Sequence, residues 1–189
     1  MSTIEDDPQV LDAVARLLER AGLAGLTITA IAEEAALSRV TLHRRGHRID
    51  DYVIAVLRRA SDDLRQSLWP VLTSSDDAAA RMRLALTAFC EVFERHAGTL
   101  AAFYRTPAWP LPDRPDSTTS FEFIEPLDRI LRDGVADGTL VSDDPRVDAT
   151  LAANAVAWTY LHMRRAHRWS VEEATTRVVS MAIAGLLPR

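Results

Sequence analysis

A chain of 189 residues, 48% apolar and 26% charged, is long enough for one large or two small packed cores and is not a disordered chain. Its net charge of −5 excludes a global basic field that would draw the whole molecule to nucleic acid, so any basic function has to be local. A single cysteine, Cys90, excludes an intrachain disulfide and, lying in a helical apolar pattern, is expected as a buried reduced thiol.

Residues 2–8 are acidic and polar, unlike a signal peptide, and the longest nearly apolar run, 149–161, is too short to span a bilayer. The expected location is cytoplasmic, with no membrane partner. Pro8 fits the first position of a helix capped by Asp7. Val10, Leu11, Val14, Leu17 and Leu18 then recur at helical spacing until Gly22 ends the helix.

The next stretch, 26–48, reads as two short helices joined by a tight corner. Thr27 caps the first, with Leu26 and Ile31 at hydrophobic-staple positions; Ser38 caps the second, with Leu37 and Leu42 at the same spacing. Ile28, Ile31, Ala32 and Ala35 share a face, and Ala36 stands where the chain must turn. This is a helix-turn-helix pattern, whose second helix can enter the major groove of DNA. Arg39, Val40, His43 and Arg44 fall on or near its outer side. From Ser38 to Arg48 there are four arginines, two histidines and no carboxylate. Arginine grips phosphate or reads guanine as a bidentate fork, and Val40 can meet a thymine methyl. The plain competing reading is a solvated basic face without a partner.

Several runs in this half resemble the N-terminal domain of TetR-family transcriptional regulators: Val10-Leu11-Asp12-Ala13, Gly22-Leu23-Ala24-Gly25-Leu26-Thr27, Ile31-Ala32-Glu33-Glu34-Ala35 and Ser38-Arg39-Val40-Thr41-Leu42. The resemblance covers about the first fifty-five residues; the remainder is similar in helix layout only. It implies a DNA-binding domain over 1–50, an effector-binding and dimerisation domain over 51–189, and a pseudo-palindromic operator as partner. The candidate DNA-contact set is Thr27, Thr29, Ser38, Arg39, Val40, Thr41, His43, Arg44, Arg45, His47 and Arg48. Two departures stand out. Where the family has tyrosine, a polar residue, histidine and phenylalanine, this chain has His43, Arg44, Arg45 and Gly46, so the aromatic that plugs the domain core is missing at Gly46. Where the family starts its fourth helix with serine, lysine and two glutamates, this chain has Arg48, Ile49, Asp50 and Asp51. Asp50 is then the expected cap, starting that helix two residues late, and Arg45, His47 and Arg48 are candidates to replace the lost lysine contact with phosphate.

A long helix follows from about Asp51 to Trp69, carrying Val53, Ile54, Val56, Leu57, Leu64 and Leu68, with Pro70 bending or ending it. The next spans about Asp76 to His96, with Gly98 as its breaker, and a short one runs from Leu100 to Arg105. Residues 106–119 hold four prolines and read as loop. Residues 121–136 read as helix disturbed at Pro126 and closed by Gly138. Asp144 and Pro145 open a helix to about Ala166; Ser170 and Glu173 form a capping box for the last, to about Leu187. The expected architecture is all-α, about nine helices in total, with no convincing strand.

Residues 149–161 are apolar on all sides, and 178–186 are rich in small and aliphatic residues. The expectation is a homodimer closed by a four-helix bundle from the last two helices. Aromatic residues gather in the middle of the chain. Phe89, Phe93, Phe103, Tyr104, Trp109, Phe121, Asn154, Trp158 and His162 are the candidates for binding an unknown small-molecule effector, with packing as the plain alternative. Tyr160 is a further candidate anchor.

No metal or cofactor is expected. His43 and His47 stand one helical turn apart without a third ligand, and His162 and His167, five apart, should not share a face. No glycine-rich phosphate loop, nucleophile triad or carboxylate pair nominates an enzyme. The leading expectation is a repressor released by an apolar or amphipathic effector. The alternatives are an effector binder of the same fold with weak or lost operator binding, suggested by Gly46, Arg48 and Ile49, and a helical-bundle enzyme.

Overall fold

A computed structural model describes residues 7–104 and 124–188, apart from the side chains of Phe103 and Tyr104. The described residues form nine α-helices and one 3-10 turn, without a strand: α1 Pro8–Ala21, the turn Leu23–Gly25, α2 Ile28–Glu34, α3 Arg39–Arg44, α4 Ile49–Leu72, α5 Ala78–Arg95, α6 Ala97–Tyr104, α7 Glu125–Asp137, α8 Pro145–Arg165 and α9 Val171–Ala184. None of these helices is long and apolar enough to cross a membrane. Two compact units divide them. Residues 7–60 and 96–104 form the first, and residues 61–95 and 124–188 the second, so the chain passes from one to the other within α4.

In the first unit α1 is the centre. Its apolar stripe, Val10, Leu11, Ala13, Val14, Leu17 and Leu18, is buried, and α2 and α6 pack on it. Asp7 caps it through Val10 N–H at 3.1 Å. Two arginines of α1, Arg16 and Arg20, close on Glu34 at 2.7 and 2.8 Å, which fixes the C-terminal end of α2. Those two hydrogen bonds, Arg16's first, hold the Glu34 carboxyl below its ordinary range. Gly98 lies inside α6 and does not break a helix. A Cβ there would stand 2.5 Å from the Glu19 Cβ, so the missing side chain lets α6 approach α1 closely.

The start of α4 differs from the sequence expectation. It begins at Ile49, two residues before the expected start, and Asp50 lies in its first turn. The capping carboxylate is that of Asp51, which accepts from the Arg48 N–H at 2.8 Å: the back-reaching half of a capping box. Pro70 does not end the helix, which runs on to Leu72. A proline so near a C-terminus removes one late hydrogen bond, and the helix end is closed separately by the Thr73 N–H and hydroxyl, which both donate to the Trp69 carbonyl, at 3.2 and 2.9 Å.

In the second unit α5 packs against α7, α8 and α9, and α8 also packs on α7 and α9. Pro126 does not disturb α7, because it occupies the first turn, where no N–H is needed. Gly138 closes that helix in the left-handed conformation, φ 77° and ψ 9°. Asp144 and Ser170 cap α8 and α9 through Val147 and Glu173 N–H groups at 3.2 and 3.0 Å. The α8 helix is not buried on every side. Ala149, Ala152, Ala153, Val156, Ala157, Tyr160 and Leu161 are covered, whereas Leu151, Asn154, Ala155, Trp158 and His162 are exposed.

Candidate nucleic-acid interface

The corner between α2 and α3 is a Schellman motif. Leu37 N–H donates to Ala32 O at 2.8 Å and Ala36 N–H to Glu33 O at 3.1 Å, with Ala36 at φ 52° where glycine is the usual occupant. The two bonds set the angle at which α3 leaves. Ser38 Oγ then accepts the Thr41 N–H at 3.0 Å and meets the Thr41 hydroxyl at 2.7 Å, so both hydroxyls are engaged in the cap. Leu42 anchors α3 at 1% exposure, and Arg39, Val40, His43 and Arg44 stand out from the other side, Val40 at 74%. Thr27 caps α2 through the Ala30 N–H at 3.0 Å, and Thr29 is exposed in its first turn.

Gly46, at φ 74°, turns the chain after α3, so Arg45, His47 and Arg48 are not on the helix. The helical pairing of His43 with His47 is therefore lost. The His47 ring packs edge-on against Tyr52 with centroids 5.8 Å apart, and among the described residues no group of three metal-ligating side chains forms. Arg45 donates through Nη1 to Asp7 Oδ2. Arg48 is far more exposed, with Asp50 at 4.0 Å. Sequence reading missed Tyr52. It is 1% exposed, with its hydroxyl buried and unpartnered, and burial pushes that hydroxyl's pKa up. Its signal was present: Tyr52 and Val53 both lie one turn before Val56.

The effector candidates separate. Phe89 and Phe93 stack on α5 at 6.4 Å, both buried. Asn154, Trp158 and His162 lie on the exposed side of α8, and Asn154 donates to the Thr150 carbonyl of its own helix at 2.8 Å. Phe103 and Tyr104 end α6 in the other unit, their side chains outside the described residues; Trp109 and Phe121 lie outside them altogether. Tyr160 faces inward and donates to Glu94 at 2.8 Å, a carboxylate that sequence reading passed over and that also receives the Arg164 guanidinium. His162 and His167 do meet, with ring centroids at 5.0 Å. Helix α8 ends between them and Arg168 turns the chain back at φ 55°.

The family model for the tetracycline-repressor-like C-terminal domain matches residues 75–186, more than half of the chain. The chain belongs to the TetR family of transcriptional regulators.

No curated protein matches it by sequence. Among solved structures of similar fold is the TetR-family regulator PfmR of Thermus thermophilus, with TM-score 0.80 and 18% identity over 95% of this chain and 99% of that one. A TetR/AcrR-family regulator from Thermobifida fusca gives 0.73 and 19% over 94% and 96%. The ketosteroid transcriptional regulator KstR2 of Mycobacterium tuberculosis gives 0.71 and 17% over 96% and 94%. The TetR assignment from the family model rests on the second half of the chain, while the sequence resemblance lies in the first. The two are independent and agree. In this TetR-family chain Tyr52 is buried at the start of α4, and the family is one of regulators rather than enzymes.

Proposed function

We propose that this regulator is a homodimeric repressor that grips a pseudo-palindromic operator with two α3 helices and lets go when a small apolar or amphipathic effector binds. The observation that carries the reading is the outer face of α3, where Arg39, Val40, His43 and Arg44 stand exposed on a helix fixed by Leu42 and by the turn at Ala36. Two such helices would meet major-groove faces about 34 Å apart. The dimer is supported by the uncovered apolar side of α8 and α9, with Leu151, Trp158 and Met181 at 62%, 44% and 60% exposure. An apolar effector is supported by the interior of the second unit, which is built mainly of aliphatic and aromatic side chains such as Met82, Leu86, Phe89, Leu127 and Ile130. Such an effector would act only by preferring one arrangement of the two reading helices over another.

The test is selection of a duplex from random DNA, followed by titration at several salt concentrations. Arg44→Ala is expected to weaken binding and to flatten the salt dependence by about one unit if Arg44 meets a phosphate. Failure of the native protein to select any duplex would favour an effector binder without an operator.

A further inference from the structure

Of the arginines around α3, Arg45 is held differently. Arg39 and Arg44 are exposed with no carboxylate partner among the described residues, and the Arg48 side chain is 83% exposed. Arg45 is drawn down to 32% and bound to Asp7. That carboxylate is fixed on its other side, because Oδ1 accepts the Val10 N–H and caps α1. One aspartate thus ties the start of the first helix to the end of the reading helix. The buried Tyr52 hydroxyl, unpartnered, lies within electrostatic reach of Arg45, Asp7 and Asp51.

The position matters because α3 is short. Six residues span about 9 Å, against a major groove about 12 Å wide. With Arg39 and Val40 at the bases, the far end of α3 stands at the groove wall, where phosphates run. A carboxylate and a phosphate offer a guanidinium the same pair of acceptor oxygens. We propose that Asp7 is a latch on the DNA face: its carboxylate holds Arg45 in the free protein, and a backbone phosphate takes its place in the complex. The proposal rests on the operator-binding reading. Asp7 keeps its capping role when the latch opens, so α1 does not unravel, and a partly exposed ion pair is weak enough to exchange. Because phosphate contacts carry no sequence information, the latch lowers affinity for all duplexes alike.

Asp7→Asn and Asp7→Ser both keep a capping side chain and lose the charge. The experiment measures binding to a duplex selected from random sequence, and to an unrelated duplex of equal length. Both variants are expected to bind about two- to fivefold tighter than the native protein, on both duplexes, with a melting temperature lower by about 1–4 °C, because the free protein loses the same ion pair. Arg45→Gln is expected to weaken binding, and the gain from Asp7→Asn to vanish in the Asp7→Asn, Arg45→Gln double variant. A gain that persists without Arg45 would show simple repulsion between Asp7 and DNA and overturn the latch. Equal affinity of the native protein and both Asp7 variants would overturn it too, while leaving operator binding intact. Absence of binding by all three would refute the operator reading, and the latch with it.

Discussion

Gly98 looks like punctuation in the sequence and acts as a contact in the fold. Its hydrogen faces the Glu19 Cβ and Cα, which an added Cβ would approach to 2.5 and 3.0 Å. Alanine favours a helix over glycine by about 1 kcal/mol, but the clash is with backbone and Cβ atoms, which cannot swing away. Gly98→Ala is therefore expected to destabilise by a net of about 1–2 kcal/mol, read as a lower urea midpoint. A midpoint at or above the native value would mean that α1 and α6 part without loss. Cys90 shows the opposite case, a residue whose state was legible from its neighbours. It is 1% exposed among apolar side chains, and burial pushes its thiol pKa up to about 12. The thiol thus stays protonated and unreactive across the physiological range.

At the scale of elements, helices α5 and α8 are joined by one carboxylate. Glu94 accepts from Arg164 Nε at 2.9 Å and from the Tyr160 hydroxyl at 2.8 Å, and Arg164 also donates to the Trp169 carbonyl in the turn before α9. The Arg164 hydrogen bond is the main cause holding the Glu94 carboxyl below its ordinary value near 4.5. A lowered pKa in the folded state means that the contribution is complete above the unfolded value and is lost as pH falls through the folded one. Glu94→Gln is expected to cost about 1–2 kcal/mol at neutral pH, with the gap to the native protein narrowing at an acid pH below the ordinary carboxylate range. Thermal melts at the two pH values check this; an undiminished gap in acid would mean that packing, not charge, was lost. The helix starts at Asp7, Thr27, Ser38, Asp144 and Ser170 were all legible, because a cap is a contact within three residues. The start of α4 was not: Asp50 and Asp51 both look like caps, and the geometry of Arg48 decides between them. Pro70 and Gly98 misled for a related reason. Both residues weaken a helix locally, and packing overrides that weakness near a terminus or against a close neighbour.

For the molecule as a whole, the outer side of α8 is an apolar face that the chain's own core does not cover. Leu151, Ala155, Trp158 and His162 follow one another at helical spacing on the exposed side, and α9, which packs on α8, exposes Met181. A second copy of the chain is the proposed cover. Leu151→Glu is expected to leave the helical content intact and to give monomers by light scattering at micromolar concentration, because Leu151 is outside the unit's own core. A variant that stays dimeric would remove α8 from the interface.

The sequence by itself determined the all-helical layout, the caps at Asp7, Thr27, Ser38, Asp144 and Ser170, the two-helix corner at Ala36 and the exposed basic face of α3. Each of these rests on contacts a few residues long or on a helical period, and such information is written locally. Tertiary structure alone decided that Arg45 is bound to Asp7, that Tyr52 is buried, that Glu94 joins Tyr160 and Arg164, and that Asn154, Trp158 and His162 lie apart from Phe89 and Phe93. Those partners are separated by tens of residues or sit on opposite sides of a helix. Only the packing of one helix on another selects which side turns inward.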